Sequence, residues 1–281
     1  MLDVRGNGGG YVIAAEYLLQ FLSPRRITPV PFQFVSTPST TGLATTVSDY
    51  QDWKASLEEA VSTGSAYSTA LPLYPINAVN SVGHQYQGPV VLVTDALCYS
   101  ACDNFAAGFQ DHDIGPVLGV EANTGAGGAN VVTHEELRTE WTGSQVRQLP
   151  KGVQMRVALR RSLRVGTRMG QPVEDLGVVP DVLCELTKRD LLEENADLMA
   201  TAGALLARRQ PRLLRFTSTA SGTKKRKLTV TTGSVASIDV YVDGRPNESH
   251  HRRHHPDHNP RRRWRRCPDR RLRRRRDARR E

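Results

Sequence analysis

The chain has 281 residues and a formal net charge of +9. It contains no run of 18 or more apolar residues, so no membrane-spanning helix is expected. No basic segment followed by an apolar stretch marks a signal peptide. The charge is uneven, because residues 251–281 hold 15 Arg against four acidic residues, a balance of +11, which leaves −2 for the rest.

The N-terminal residues indicate a strand end, a glycine-rich turn and a helix. Leu2–Val4 precede four glycines among residues 6–10, and apolar residues then recur at helical spacing in Ile13, Tyr17, Leu18 and Phe21. Glycine adopts positive φ without penalty, so the turn can direct backbone amides towards a ligand. Alone, a glycine-rich loop after a strand is more often a plain turn or a phosphate-binding loop, and here no Lys-Ser or Lys-Thr follows to complete a P-loop.

The next segment carries weaker signals. Residues 36–46 are rich in Ser and Thr and predict a loop. The spacing of Trp53, Leu57 and Val61 predicts a helix over 49–62. Residues 72–86 are expected to form a long surface segment.

Residues 89–112 form the most informative stretch. An apolar run from Val90 to Val93 predicts a buried strand, and the spacing of Ala106 and Phe109 predicts a helix. Ser100 lies in the bend between them, at the N-terminus of the predicted helix, where the first amides lack intrahelical partners. Such a serine is either an N-cap or a nucleophile whose oxyanion is stabilised by the next amide.

The signals after residue 130 divide the chain into three regions. Strands are predicted near 131–132, around 153–159 and at 182–186, and an amphipathic helix over 187–209. Three β-prone runs follow at 214–217, 227–232 and 238–242, separated by turn residues. We therefore expect a core at 1–210, a partial β module at 211–246 and a disordered Arg/His-rich tail at 247–281.

Three segments together resemble the S41 family of serine peptidases, the tail-specific or C-terminal-processing proteases. Residues 3–10 match its Asp-x-Arg-x-Asn-Gly-Gly-Gly pattern, residues 100–103 its Ser-Ala-x-Glu turn with Asp in place of Glu, and residues 170–181 its Gly-x-x-x-Glu-x-x-Gly-Val-x-Pro-Asp segment. The resemblance extends over residues 1–205 and implies an α/β fold with the family's ClpP/crotonase-like catalytic core. It implies protein or peptide substrates. The first and third of these segments argue against a crotonase-type acyl-CoA enzyme.

The resemblance also assigns roles to individual positions. Ser100 would attack the scissile carbonyl to form an acyl-enzyme, and the amides of Gly8 and Ala101 would hold the oxyanion. Glu174 would take part in the catalytic hydrogen-bond network. Asp103, one helical turn beyond Ser100, is expected to hold the turn rather than to react.

The sequence lacks the general base that the family pattern requires. Many members use a lysine in a Gly-Glu-x-Thr-x-Gly-Lys-Gly turn, but residues 119–128 keep the glycines and the threonine without a lysine. Because a serine hydroxyl is a poor nucleophile without an adjacent base, a Ser-Lys dyad is not expected. A second branch, similar to the tricorn core and the chlamydial protease factor, uses a histidine N-terminal to the Asp-x-Arg strand, and Glu174 matches the glutamate of that branch.

None of the core histidines is placed to replace the missing one. His84 and His134 lie in predicted loops, and His112 falls at the far end of the nucleophile helix, about 18 Å from Ser100 at about 1.5 Å per residue. We therefore expect an N-terminally shortened family member with weak or absent turnover. In longer relatives a preceding segment would supply the histidine.

The cysteines and histidines indicate no cofactor. Cys98 and Cys102 bracket Ser100, and we expect buried free thiols there rather than a disulfide. The core has no Cys-x-x-Cys and no His pair at zinc spacing, so no metal is expected.

Two functions of other classes stay open from the sequence. The first is a non-catalytic protein that keeps the peptide-binding groove without the base. The second is binding of nucleic acid or an anionic surface through the arginine runs of the tail, the one region where such a partner is expected. The tail composition is also what a GC-rich coding region gives when it is read out of frame.

Overall fold

The computed structural model describes residues 1–128, 131–141, 146–208, 213–220, 226–233, 235, 237–242, 245–251 and 265–266. The chain forms two compact units, Met1–Arg209 and Gln210–Glu281. No helix within the described ranges is both long and apolar enough to cross a membrane.

The first unit contains nine strands and eight α-helices in its described residues. The strands are β1 (Leu2–Asp3), β2 (Pro31–Phe34), β3 (Leu71–Pro72), β4 (Leu92–Thr94), β5 (Val117–Gly119), β6 (Val132–Thr133), β7 (Arg156–Val157), β8 (Arg160–Ser162) and β9 (Val182–Leu183). The helices are α1 (Val12–Leu22), α2 (Pro38–Thr46), α3 (Lys54–Thr63), α4 (Ile76–Val79), α5 (Ala101–Asp111), α6 (His134–Glu140), α7 (Lys188–Leu192) and α8 (Ala196–Arg208), with 3-10 turns at Ser48–Trp53, Pro150–Gly152 and Gly166–Arg168.

A four-stranded parallel sheet, ordered β1-β4-β5-β9, forms the centre of this unit. Successive side chains of a strand point to opposite faces. Leu92 accordingly packs into the cluster that includes α1 and α5, whereas Val91 and Val93 pack into the cluster that includes Leu198 of α8. Both faces are buried, as parallel sheets require, which confirms the buried strand predicted at 90–93 and the α/β fold.

Helix α5 lies close to α1 on one face of the sheet. Phe105 and Phe109 of α5 are buried with Leu19 of α1 in the same cluster. Gly108 permits the approach, because a Cβ there would overlap the Leu19 side chain. Helix α5, which begins after Ser100, therefore packs against both the sheet and α1.

An antiparallel sheet, ordered β3-β2-β8, builds a second core region. Phe34 and Trp53 pack edge to face in it, with ring centroids 5.3 Å apart, and the Trp53 indole donates a 2.9 Å hydrogen bond to the Phe32 carbonyl. The buried Arg160 guanidinium lies 4.9 Å from the Tyr50 ring centroid, and burial lowers its pKa. Cation–π contacts with aromatic rings therefore help to stabilise this buried charge.

The loop predicted over 36–46 is wrong. Thr37 caps helix α2: its hydroxyl accepts a 3.0 Å bond from the Thr40 amide, and the Thr37 amide donates a 3.0 Å bond to the Thr40 hydroxyl. Pro38 stands in the first turn, where its missing N–H costs nothing. Ser and Thr here mark a helix start rather than a loop.

The single helix predicted over 187–209 is also wrong, because the chain forms two helices there. Glu194 and Asn195 adopt positive φ of 52° and 62° between α7 and α8. Asp190 stabilises both helices: it belongs to the capping box of Thr187 at the start of α7, and its carboxylate accepts the amides of Asp197 and Leu198 at 2.9 and 2.8 Å.

The second unit consists of strands in its described residues. They are β10 (Leu213–Ala220), β11 (Arg226–Gly233), β12 (Ser237–Val242), β13 (Arg245–His251) and β14 (Arg265–Arg266). Strands β10 and β11 pair antiparallel, and β12, β13 and β14 form a separate antiparallel sheet. The three predicted β-prone runs are confirmed. Part of β13 and all of β14 lie within the predicted disordered tail, and the remainder of that tail lies outside the described residues.

Candidate active site

Ser100 occupies a sharp turn between β4 and α5. It stands at the N-cap position of α5 with φ 58° and ψ −122°, and its side chain makes no capping hydrogen bond. A positive φ is uncommon for a residue other than glycine, and strained backbone of this kind is found at functional sites. The structure therefore does not use Ser100 as a side-chain cap, which was one of the two interpretations of the sequence.

The glycine-rich bend of residues 6–10 packs directly on this turn. A Cβ on Gly9 would lie 2.7 Å from the Ser100 Cβ and 2.8 Å from the Ala101 nitrogen, and Gly9 has φ 96°. The Asn7 carbonyl accepts a 3.0 Å bond from the Tyr99 amide, while its side chain accepts a 2.9 Å bond from the Gly9 amide. Two segments that lie about ninety residues apart in sequence thus meet at the serine.

Two backbone amides at this meeting point are unused. Among the described residues, neither the Gly8 amide nor the Ala101 amide donates a hydrogen bond. Ala101 is the first residue of α5, where the helix dipole favours negative charge. Free donors beside a helix N-terminus can stabilise a developing oxyanion.

A disulfide joins Cys98 to Cys102, with their Cα atoms 5.3 Å apart, so the expectation of two free thiols is wrong. The turn brings the two residues within the Cα separation that a disulfide needs. Both side chains are buried. The bond closes a short ring around Ser100 and limits how far its backbone can relax.

The loop that would carry the family's lysine lies against the same turn. The Asp103 carboxylate accepts the amides of Ala126 at 3.2 Å and Gly127 at 2.9 Å. Burial raises the pKa of Asp103, and bonds from Thr124 and from backbone amides, including that of Ser100, oppose the rise. Asp103 therefore holds the nucleophile turn to this loop, as the sequence predicted.

Glu174 is linked to Ser100 indirectly, through two other residues. Its two carboxylate oxygens accept the Ser162 amide at 3.0 and 2.8 Å, and the Ser162 hydroxyl donates a 2.8 Å bond to the Asn104 side chain. The Asn104 amide donates to the Ser100 carbonyl at 3.1 Å. Burial raises the pKa of Glu174, while the bonds from Ser162 oppose the rise. In the described structure Glu174 reaches Ser100 only through Ser162 and Asn104.

The histidines of the first unit are engaged elsewhere. The His112 ring, at the C-terminal end of α5, lies 3.2 Å from the Thr28 carbonyl, and burial lowers its pKa. The His84 ring lies 2.7 Å from the Tyr86 carbonyl. His134 is buried and begins α6. No histidine or lysine hydrogen-bonds to Ser100 in the part of the chain that the structure describes.

Two acidic residues near the Ser100 turn were not predicted from the sequence as part of the site. Asp95 follows β4 and accepts the amides of Gly6 and Leu97, and Glu121 follows β5 and accepts the Ala96 amide. The only signal for them was their place after parallel strands, since the carboxyl ends of such strands meet at one edge of the sheet.

A parallel sheet delivers a strained serine to a helix N-terminus, beside a glycine bend with free amides, in an α/β fold. The chain belongs to peptidase family S41, whose sequence profile matches residues 1–184. The family resemblance stated from the three motifs is therefore confirmed. A search of curated protein sequences finds no match.

The chain is similar to several solved structures, and the first of them shares its fold. Mature CPAF complexed with lactacystin superimposes with a TM-score of 0.51 at 17% identity, over 74% of this chain and 44% of CPAF. A protein from Parabacteroides merdae ATCC 43184 gives a TM-score of 0.48 at 21% identity, over 73% of this chain and 50% of its own. The photosystem II D1 C-terminal processing protease gives 0.35 at 17% identity, over 66% and 34%. The chain thus spans half or less of each of these proteins.

Proposed function

We propose that this chain is a serine-type peptide hydrolase that forms an acyl-enzyme at Ser100. The observation that supports the proposal is the uncapped Ser100 hydroxyl on a strained turn, packed against Gly9. Protein or peptide substrates follow from the peptidase family. We place Gly8 and Ala101 as the oxyanion donors, because their amides are free of other partners within the described residues.

The reaction would proceed by acyl transfer. The Ser100 oxygen attacks the scissile carbonyl carbon, and the negative oxygen of the tetrahedral adduct is held by the two amides. Collapse of the adduct breaks the C–N bond, and the leaving amine takes up the proton that the Ser100 hydroxyl gives up on attack. Water then hydrolyses the Ser100 ester and returns the hydroxyl. Glu174 acts through Ser162 and Asn104 on the first turn of α5.

The expected rate of peptide cleavage depends on removal of the proton from the Ser100 hydroxyl. A serine without an adjacent base is a poor nucleophile, and no base hydrogen-bonds to the Ser100 hydroxyl among the described residues. We therefore expect weak or absent turnover of peptide amides by this chain. A fluorophosphonate is a far stronger electrophile, so it should still react with Ser100.

The test is covalent labelling with a fluorophosphonate probe, followed by peptide mapping. Wild type should carry the probe on Ser100, and Ser100→Ala should not be labelled. Ser81→Ala, which removes an exposed hydroxyl outside the site, is the matched control and should label like wild type. Equal labelling of wild type and Ser100→Ala would contradict the nucleophile assignment.

Peptide binding without cleavage is the second candidate function. It is supported by the same lack of a base beside Ser100 in the described structure. Fluorescence anisotropy with an unfolded polypeptide, followed by mass analysis of the recovered peptide, separates the two functions. Saturable binding with an intact peptide would favour the binding protein. Rapid cleavage that Ser100→Ala abolishes would contradict both this candidate and the expected weak turnover.

A further inference from the structure

We propose that Asp95 is a positioning residue that holds the glycine-rich bend and the nucleophile turn in the mutual alignment that acyl transfer at Ser100 requires. This inference rests on the proposed function. It extends that function by adding a residue that contacts neither the serine hydroxyl nor either oxyanion donor.

The fold brings Asp95 to both loops. It follows directly after β4, which ends at Thr94, and it precedes Ser100 by five positions. The adjacent parallel strand β1 ends at Asp3 and leads into Gly6. The carboxyl ends of neighbouring parallel strands open at the same edge of the sheet, so the residue after β4 faces the bend that follows β1.

One carboxylate bonds to both segments. The Gly6 amide donates to the two oxygens of Asp95 at 3.0 and 2.9 Å. The Leu97 amide donates to Oδ1 at 3.0 Å. The first contact fixes the start of the glycine-rich bend, and the second fixes the start of the nucleophile turn. Hydrogen bonds to an ionised acceptor are roughly twice as strong as neutral ones.

A second bond lies closer to the serine, and the two act together. The Tyr99 amide donates to the Asn7 carbonyl at 3.0 Å. The bend and the turn are therefore joined at two successive points, Gly6 with Asp95 and Asn7 with Tyr99. Among the described residues, removal of the carboxylate leaves a single hydrogen bond between the bend and the turn, and the bend could then pivot about it.

Such a pivot would separate the two oxyanion donors. Gly8 belongs to the bend and Ala101 to the turn, so their alignment depends on how the two segments are joined. A misplacement of about 1 Å can cost on the order of a hundredfold in rate. Ground-state binding of a reagent depends less on this alignment. Loss of Asp95 should consequently lower the maximal rate of acylation more than the affinity.

Glu121 provides a useful contrast. Its carboxylate accepts the Ala96 amide at 2.5 Å and so contacts the nucleophile turn alone. In the described structure it makes no hydrogen bond to the bend. Both carboxylates stabilise the nucleophile turn. In the described structure Asp95 also bonds to the bend, and the proposed alignment depends on that additional bond.

The experiment measures fluorophosphonate labelling as a function of reagent concentration, which separates the maximal rate from the half-saturating concentration. Asp95→Ala should lower the maximal rate 10- to 100-fold with little change in half-saturation. Asp95→Asn keeps one oxygen for the Gly6 and Leu97 amides but turns an NH₂ group towards Gly6, so it should recover part of the loss. Exposed Asp52→Ala is the control and should label like wild type.

Amide hydrogen exchange on the same proteins supplies an independent readout. Asp95→Ala should lose protection in the peptides that contain Gly6 and Leu97 while α5 keeps its protection, which shows that the fold persists. An Asp95→Ala protein that labels at the wild-type rate would overturn the proposal. Unlabelled wild type would instead defeat the proposed function, and in that case faster exchange at Gly6 would still identify the contact.

Discussion

Glu16 provides a sharp test of the packing between α1 and the core. Its side chain is almost fully buried, with 3% of the residue exposed. One carboxylate oxygen accepts the Val30 amide at 2.9 Å, and the other has no partner within the described residues. Burial raises the pKa of Glu16 from its usual 4.5 to about 7. The replacement Glu16→Gln removes the ionisable group and keeps an oxygen for Val30.

The size and the sign of the effect follow from linkage. Folding favours the neutral carboxyl, so this stabilisation is fully present below pH 4.5, the usual value, and is lost as the pH rises through about 7. The rise of the pKa from 4.5 to about 7, at about 1.4 kcal/mol per unit, corresponds to roughly 3–4 kcal/mol. Wild type should therefore weaken relative to Glu16→Gln between pH 5 and 7, and the difference should level off above pH 7.

Urea unfolding at pH 5, 6, 7 and 8 measures the difference. The free energy of unfolding of Glu16→Gln minus that of wild type should increase by about 1 kcal/mol per pH unit up to pH 7. Exposed Glu59→Gln removes the same charge at the surface and should stay within about 0.5 kcal/mol of wild type. A Glu16→Gln difference that does not change between pH 5 and 8 would refute the reasoning.

Three further predictions concern the glycine bend, the disulfide and the buried ion pair. Gly9→Ala should lower the free energy of unfolding by more than about 1 kcal/mol, because at its positive φ the new Cβ would lie 2.7 Å from the Ser100 Cβ. An unchanged urea midpoint would contradict this prediction. Cys98 and Cys102 should resist alkylation in urea until a reductant is added, and their joint replacement by Ala should cost on the order of 2 kcal/mol in urea unfolding. Arg164→Met, which leaves the Asp111 carboxylate buried without its 2.6 Å partner, should cost about 3–5 kcal/mol by the same assay, and the additional replacement Asp111→Leu should recover most of it.

The nucleophile turn could be predicted from the sequence because its signals are local. A buried apolar run, a bend and a helical repeat around Ser100 lie within about two dozen residues, and the structure confirms the order strand, turn, helix. The glycine bend is likewise local, and its glycines are required where Gly9 meets the turn. The contact between the two segments was expected only from the family resemblance.

Features that depend on distant residues or on an unusual backbone angle were missed. The Asp95 contact with Gly6 spans 89 positions, and no periodicity reports such a pairing. The Cys98–Cys102 bond depends on a turn whose central residue has φ 58°, which the Ser-Ala pattern does not specify. The capping box of α2 was a readable signal, since a Thr before Pro38 is typical of a helix start.

Helix α1 shows why an apolar pattern can predict a helix and still misplace its buried side. The apolar residues that indicated the helix include Tyr17, Leu18 and Phe21, which are 36%, 38% and 37% exposed. The fully buried positions include Glu16 and Gln20 instead. Polar groups are tolerated there because the backbone supplies partners: Val30 for Glu16, and the Ser23 carbonyl for Gln20 at 3.2 Å.

Acyl transfer at Ser100 has two requirements, stabilisation of the oxyanion and activation of the hydroxyl, and they depend on different groups. In the proposed reaction, stabilisation of the oxyanion depends on backbone amides, which the Gly9 contact and the Asp95 bonds would hold in place. Activation of the Ser100 hydroxyl depends on a base, which no described contact provides. In serine hydrolases, the oxyanion hole and substrate binding alone still give roughly 10³- to 10⁴-fold catalysis over water when a triad member is removed. Labelling by a strong electrophile together with slow cleavage of a peptide is therefore one prediction, and a base close to Ser100 would accelerate both reactions.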